Sequence, residues 1–420
     1  MPPDLPFDII ALIIDIVGEN KDTKLLKELA LVSHYFLEIC SKHLFATVKL
    51  RGAVPVYNIP SSKKGFVKLL KSRPDVVKYI RKLTYKVSRN DDEDVNLLPP
   101  ILFLPTFSRL NCLSITSHSL RKWNKLDSSL TSAFLHLMHL PTINHIDLLL
   151  IRDFPLSCLT QSVNLLRLDL CRCSSFTKGG SPEIVLEMMP KIREFNTSES
   201  SVLTTKLLHA KRPDGRPAFN FMDLRRVSIS FTDFEDEQNI WYLLQNAKLL
   251  ERLHLSVGVR KKIVGLLSPS ARTLKVLDLS VPLWDGFESV SLGGICEELE
   301  AIAGQNMLEV LSLDVIHILD PFYSADFIGS IFQNVENVLV KPGWSMLRQV
   351  SHFHVGTGQS GARRYNRYPI NISAISRNSK PLISTIQLVV TIISFYYTTC
   401  ISIFSFLQCV PFTIVIVRPE

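Results

Sequence analysis

One apolar pattern recurs down this chain and constrains its fold more than any other feature. An apolar residue, two others, a second apolar residue, one other and a third apolar residue occur at Leu110/Leu113/Ile115, Ile143/Ile146/Leu148, Leu165/Leu168/Leu170 and Leu224/Val227/Ile229. The same spacing returns at Leu250/Leu253/Leu255, Leu274/Leu277/Leu279, Leu308/Leu311/Leu313 and Val335/Val338/Val340. Ile80/Leu83/Tyr85 and Ile192/Phe195/Thr197 are degenerate copies, and with them the steps run from 22 to 34 residues, about 28 on average. A unit this short cannot bury its apolar side alone, so its neighbours must cover it. Amphipathic stretches such as Asn239–Leu244 and Leu299–Ala303 lie between copies and supply a helix for each unit. The expected fold is therefore α/β: short parallel strands with outer helices, stacked as a curved solenoid over residues 75–340.

The pattern resembles leucine-rich repeats of irregular length, although the consensus asparagine of that family is missing. Strand side chains alternate, so if the second and third apolar positions face the core, the residues between and before them line the inner strand surface. The row between reads Ser114, Asp147, Asp169, Ser228, His254, Asp278 and Ser312. The row before it reads Cys112, His145, Arg167, Arg226, Arg252, Val276 and Val310. Arginines beside aspartates suit a polar protein segment better than a phosphate backbone. Asp147, Arg167, Asp169, Arg226, Arg252, His254 and Asp278 are accordingly the expected substrate-binding residues, against the alternative of an ordinary solvated strand face.

Residues 1–50 read differently. Ile9, Ile10, Leu12, Ile13, Ile14, Ile16 and Val17 make a dense apolar helix opened by Leu5-Pro6 and ended by Gly18. Asp22 or Thr23 can cap a second helix carrying Leu25, Leu26, Leu29 and Leu31, and Ser33 a third carrying Phe36, Ile39, Cys40 and Leu44. Three such helices bury too little apolar surface by themselves, and the first is apolar on too many sides. Either a separate polypeptide covers it or the following domain does.

Leu5-Pro6-Phe7-Asp8-Ile9-Ile10, Leu29-Ala30-Leu31-Val32-Ser33-His34-Tyr35-Phe36 and His43-Leu44-Phe45 resemble the F-box, as found in the large fungal sets of F-box proteins. His34-Tyr35-Phe36 stands where many members have Cys-Arg-x-Trp. The resemblance implies a three-helix motif that binds the Skp-type adaptor of a cullin-RING (SCF-type) ubiquitin ligase, with Leu5, Pro6, Ile9, Ile13, Leu31 and Val32 on the adaptor surface. It implies a substrate-recognition adaptor and no catalysis of its own. The rival expectation is a repeat scaffold unconnected with ubiquitin, whose first helices only cap the array.

The net charge of +8 does not mark a nucleic-acid surface, because residues 337–420 hold eight basic groups against Glu420 and the rest of the chain is close to neutral at +1. Eight scattered cysteines without Cys-x-x-Cys spacing, and Asp4 and Asp8 where a signal peptide would be basic, point to reduced thiols in cytoplasm or nucleus. Gly356-Thr357-Gly358-Gln359-Ser360-Gly361 fits G-x-G-x-x-G, yet a poor helix former follows it and no acid until Glu420 could hold a ribose. Cys171/Cys173 and His352/His354 lack further ligands at zinc-like spacing, and His136, His139 and His145 have no acidic partner among them and coincide with the apolar run Phe134–Leu140, as core histidines would. No catalytic, metal or cofactor site is expected. Residues 51–74 read as a linker and 341–380 as a basic, acid-free loop region. Residues 381–417 contain no Asp, Glu, Lys or Arg. They read as a stretch never selected to fold, as a membrane segment, or as a packed terminal element.

Overall fold

The computed structural model describes residues 6–52, 61–87, 99–103, 107–174, 176–177, 189–212, 214–230, 236–256, 265–283, 293–317, 333–356 and 366–371. Leu5, most of the glycine-rich stretch after Gly356, and residues 381–417 lie outside them. No helix among the described residues is long and apolar enough to cross a membrane.

Helices α1 (Phe7–Glu19), α2 (Thr23–Ala30) and α3 (His34–Leu44) come first. Asp22 caps α2 by accepting from the Leu25 N–H at 3.1 Å, and Ser33 caps α3 by accepting from that of Phe36 at 3.3 Å. The three share a small core of Ile14, Leu26 and Cys40. Asp15 ties α1 to α3 through Lys42 at 2.6 Å and His43 at 2.7 Å, and the hydrogen bond from Lys42 holds its carboxyl below the usual range. Gly18 is required at this crossing, because a Cβ there would lie 2.2 Å from the His43 ring.

The main sheet starts immediately afterwards with β1 (Thr47–Arg51), which begins inside the stretch expected to be helical, and α4 (Ser62–Ser72) lies within the expected linker. There follow β2 (Lys82–Val87), α5 (Pro99–Leu102), β3 (Cys112–Lys122), α6 (Ser128–Met138), β4 (His145–Arg152), β5 (Phe154–Pro155), α7 (Leu156–Thr160), β6 (Arg167–Cys171) and β7 (Phe176–Thr177). The second half continues with β8 (Glu194–Ser198), α8 (Ser201–Leu208), β9 (Arg226–Ser230), α9 (Asp236–Asn246), β10 (Arg252–Ser256), β11 (Val276–Leu283), α10 (Gly293–Ile302), β12 (Val310–His317), β13 (Gln349–Gly356) and β14 (Asn366–Asn371). Apart from the separate β5–β7 pair, the strands form one sheet in strict chain order. Eleven of its strands are parallel, and β14 closes the end antiparallel to β13. The expected parallel strands and intervening helices are therefore present in a mixed α/β fold.

Most units bury three apolar positions. Leu250, Leu253 and Leu255, for example, are all fully buried, the first in the turn before β10 and the other two on its inward side. A fully buried leucine contributes about 1.5–3 kcal/mol. A second regularity fastens the units: from β1 to β12 of the main sheet, a carbonyl one residue before the strand accepts two successive N–H groups of the next unit. Asn111 O accepts from Asn144 and His145, Asn144 O from Leu166 and Arg167, and Glu251 O from Lys275 and Val276, all within 2.9–3.0 Å.

One copy of the pattern does not form a strand. Val335/Val338/Val340 falls on a helix over 333–339, which buries Val335 and Val338 at the i, i+3 spacing of one helix face. The next strand is β13, where Leu347 and Val350 hold the first two positions and His352 the third, so the apolar pattern breaks. The sheet thus runs beyond residue 340 into the stretch expected to be loop.

Candidate functional site

Two surfaces stand out, one apolar and one polar. The apolar one is built by the opening helices. Their core takes only one side of α1, leaving Phe7, Ile9, Leu12, Ile13 and Ile16 exposed on the others. At the α2–α3 turn Leu31 is 87% and Val32 66% exposed, the two most solvent-open aliphatic side chains among the described large hydrophobics. Phe7 is fixed rather than loose: its ring meets Tyr35 edge-on at 4.7 Å, and the Tyr35 hydroxyl donates to the Phe7 carbonyl at 3.3 Å. Of the six expected adaptor residues, Pro6, Ile9, Ile13, Leu31 and Val32 are therefore all exposed on this three-helix unit. A group of large apolar side chains left in water marks an interaction surface more often than a folding fault.

The polar surface is the outward row of the sheet. Strand pairing sets Cys112, His145, Arg167, Glu194, Arg226 and Arg252 side by side, one per strand from β3 to β10. Two residues further along, Ser114, Asp147, Asp169, Asn196, Ser228, His254 and Asp278 form a second row. All seven expected substrate-binding residues lie on these two rows. They do not behave as one group, however.

Over β3 to β9 the side chains satisfy one another. Asp169 accepts from Arg167 at 3.0 Å and from His145 Nε2 at 2.8 Å, while the other ring nitrogen of His145 meets Cys112 Sγ at 3.1 Å. Glu194 bridges Arg167 and Arg226, each at 3.2 Å, and Asp147 accepts from the Ser114 hydroxyl at 2.8 Å. Burial pushes the His145 imidazolium down, but the bonds to Asp169 and Cys112 outweigh it and raise its pKa to about 9. Burial likewise pushes the Asp169 carboxyl up, and His145 and Arg167 together hold it below its ordinary range. Over β10 and β11 the pattern opens. Arg252, His254 and Asp278 stand in adjacent registers without an ion pair among the described residues.

Glu194 and Asn196 were missed by sequence reasoning because their strand, β8, carries a degenerate copy. Its third position is Thr197, buried and bonded to the Thr204 hydroxyl at 3.0 Å, so a polar pair replaces an aliphatic contact. The register signal was available: aligning the rows by strand puts Cys112 beside His145. Among the described residues no group of three or more His, Cys, Asp and Glu side chains is arranged to hold a metal ion.

Compared with family models and with curated proteins, the chain matches none.

Proposed function

We propose that this chain is a substrate-recognition adaptor of a cullin-RING ubiquitin ligase. Its three opening helices would serve as the F-box-like bundle that binds the Skp-type adaptor. The following units would form a leucine-rich-repeat-like solenoid whose strand face holds a protein substrate. The single observation that carries this reading is the exposed apolar face of Phe7, Ile9, Leu12, Ile13, Leu31 and Val32 on helices that already have a core of their own. Further support comes from the strict strand order. Without a reversal the sheet has no topological switch point of the kind at which α/β enzymes bind small ligands, whereas a long ordered strand face suits an extended peptide.

The mechanism is proximity. A substrate held on one end of the chain and a ligase on the other meet at high effective concentration, and the ligase partners supply the chemistry.

A second reading, an interaction scaffold unrelated to ubiquitin, draws on one specific observation. Ala46, directly after α3, accepts hydrogen bonds from Arg81 and Lys82 at 2.9 Å, and Phe45 packs on the main core, so the helices adjoin the first strand as an end cap would. Co-expression separates the two. The full chain and a Skp-type adaptor should co-purify as a stoichiometric complex, and Ile9→Asp should abolish it. Ile9 is exposed, so that change should alter the stability of the chain by no more than about 0.5 kcal/mol. A chain that folds but captures no adaptor leaves the scaffold reading.

A further inference from the structure

The outward rows of the sheet do not begin at β3. Strand pairing carries them back to β2 and β1: Cys112 stands beside Lys82 and then Thr47, and Ser114 beside Thr84 and then Lys49. A third row runs from Thr116 to Lys86 to Arg51. Leu50, Leu83, Tyr85 and Val87 face the core, so Lys49 and Arg51 on β1 and Lys82 and Lys86 on β2 point to the open side. Four cations thus share an area two strands wide and five residues long, about 5 Å by 13 Å. The strands β1, β2 and β3 contain no acidic residue, and none of the four cations has an ion pair among the described residues. The first acid met along these rows is Asp147 on β4, which already accepts from Ser114 at 2.8 Å. Helix α4, bordering β1, adds bases and no acid, and its Ser62 closes the strand edge by accepting from the Arg51 N–H at 2.8 Å and donating to the Lys49 carbonyl at 2.9 Å.

We infer that this end of the strand face docks an acidic segment of a protein partner, with Lys49, Arg51, Lys82 and Lys86 holding its carboxylates. The inference rests on the proposed reading of the strand face as the substrate surface and names the class of segment bound there. Arg51 and Lys86 stand directly opposite each other, a like-charge pair that weakens a sheet, and an anion placed between them relieves the repulsion. An extended peptide sets alternate side chains on one side about 7 Å apart, the spacing of Lys49 and Arg51 along their strand. A nucleic acid fits less well. The rows continue into Asp147, Asp169 and Glu194, whose carboxylates repel a phosphate backbone running past the patch, whereas a peptide can turn from acidic to polar over that distance.

Fluorescence anisotropy with the full chain tests this. The probes are a fluorescein-labelled peptide of glutamates alternating with serines, its counterpart with glutamine for glutamate, and a labelled short single-stranded DNA. The glutamate peptide should bind saturably and about tenfold or more tighter than the glutamine peptide, the combined effect of several exposed charge contacts. Lys49→Glu with Arg51→Glu should weaken it about tenfold or more. Lys206→Glu with Lys275→Glu, the same change of charge on exposed residues elsewhere, should alter it less than about twofold. If the charge-reversed chain fails to fold, Lys49→Gln with Arg51→Gln, which adds no new charge, should weaken binding about threefold or more. Asp91, Asp92, Glu93 and Asp94 follow β2 in the sequence and lie outside the described residues; were they to neutralise the patch, the glutamate peptide would not bind. No saturable binding, equal binding of the two peptides, binding unchanged by the Lys49 and Arg51 substitutions, or DNA held more tightly than the glutamate peptide overturns the proposal. No adaptor is present in this titration, so its failure is separate from a failure of adaptor capture.

Discussion

Asp169 shows how much one side chain can organise on an open strand face. It accepts from Arg167 and His145 together, and through His145 it reaches Cys112 two strands away. The pH consequence has a definite sign. An unfolded histidine titrates near 6.5, and in the fold His145 titrates at about 9. The folded chain therefore binds this proton more tightly. The stabilisation is complete below about pH 6.5 and is lost as pH rises through about 9, amounting to about 3 kcal/mol at most. Urea denaturation should show stability falling over that window, and His145→Gln should flatten the decline. A profile that does not differ between the two proteins would mean that the His145–Asp169 bond contributes nothing to folding.

At the scale of strands and helices, the sequence pattern was legible wherever an aliphatic residue filled each inward position, and it failed where a polar residue took that place with a partner. Leu253 and Leu255 announced β10. Thr197 concealed β8 because Thr204 satisfies it, and Tyr85 blurred β2 because its hydroxyl accepts from Lys63 Nζ at 2.8 Å. Val335 and Val338 misled for the opposite reason, since apolar residues three apart serve a helix face as well as a strand. The rows of the strand face could be read from spacing, but the division between a self-paired centre and an open end could not, because it depends on Glu194. Joints between units were equally invisible. Asn306 donates to the carbonyls of Ile302 at 3.1 Å and Gly343 at 3.0 Å, and its own carbonyl accepts from Leu308 N–H at 3.2 Å. Gly343 has φ 119°, and a Cβ there would come 2.6 Å from Gly304 N. Asn306→Ala strands buried backbone groups and should cost about 2–3 kcal/mol in chemical denaturation. A loss under about 0.5 kcal/mol would show that the joint is not needed.

Across the whole molecule the two surfaces divide the labour proposed for it. The apolar face belongs to helices at the beginning of the chain, and the polar rows extend along the strands that follow. The central claim is that the opening helices are completed by a second polypeptide. Calorimetric titration of a Skp-type adaptor into the full chain tests it most directly. The account predicts one adaptor per chain with a negative heat-capacity change, the mark of apolar surface leaving water, and no binding when Ile9 or Val32 is replaced by aspartate. A folded chain that gives no saturable heat with the adaptor, or binds equally well with both aspartates in place, would contradict it.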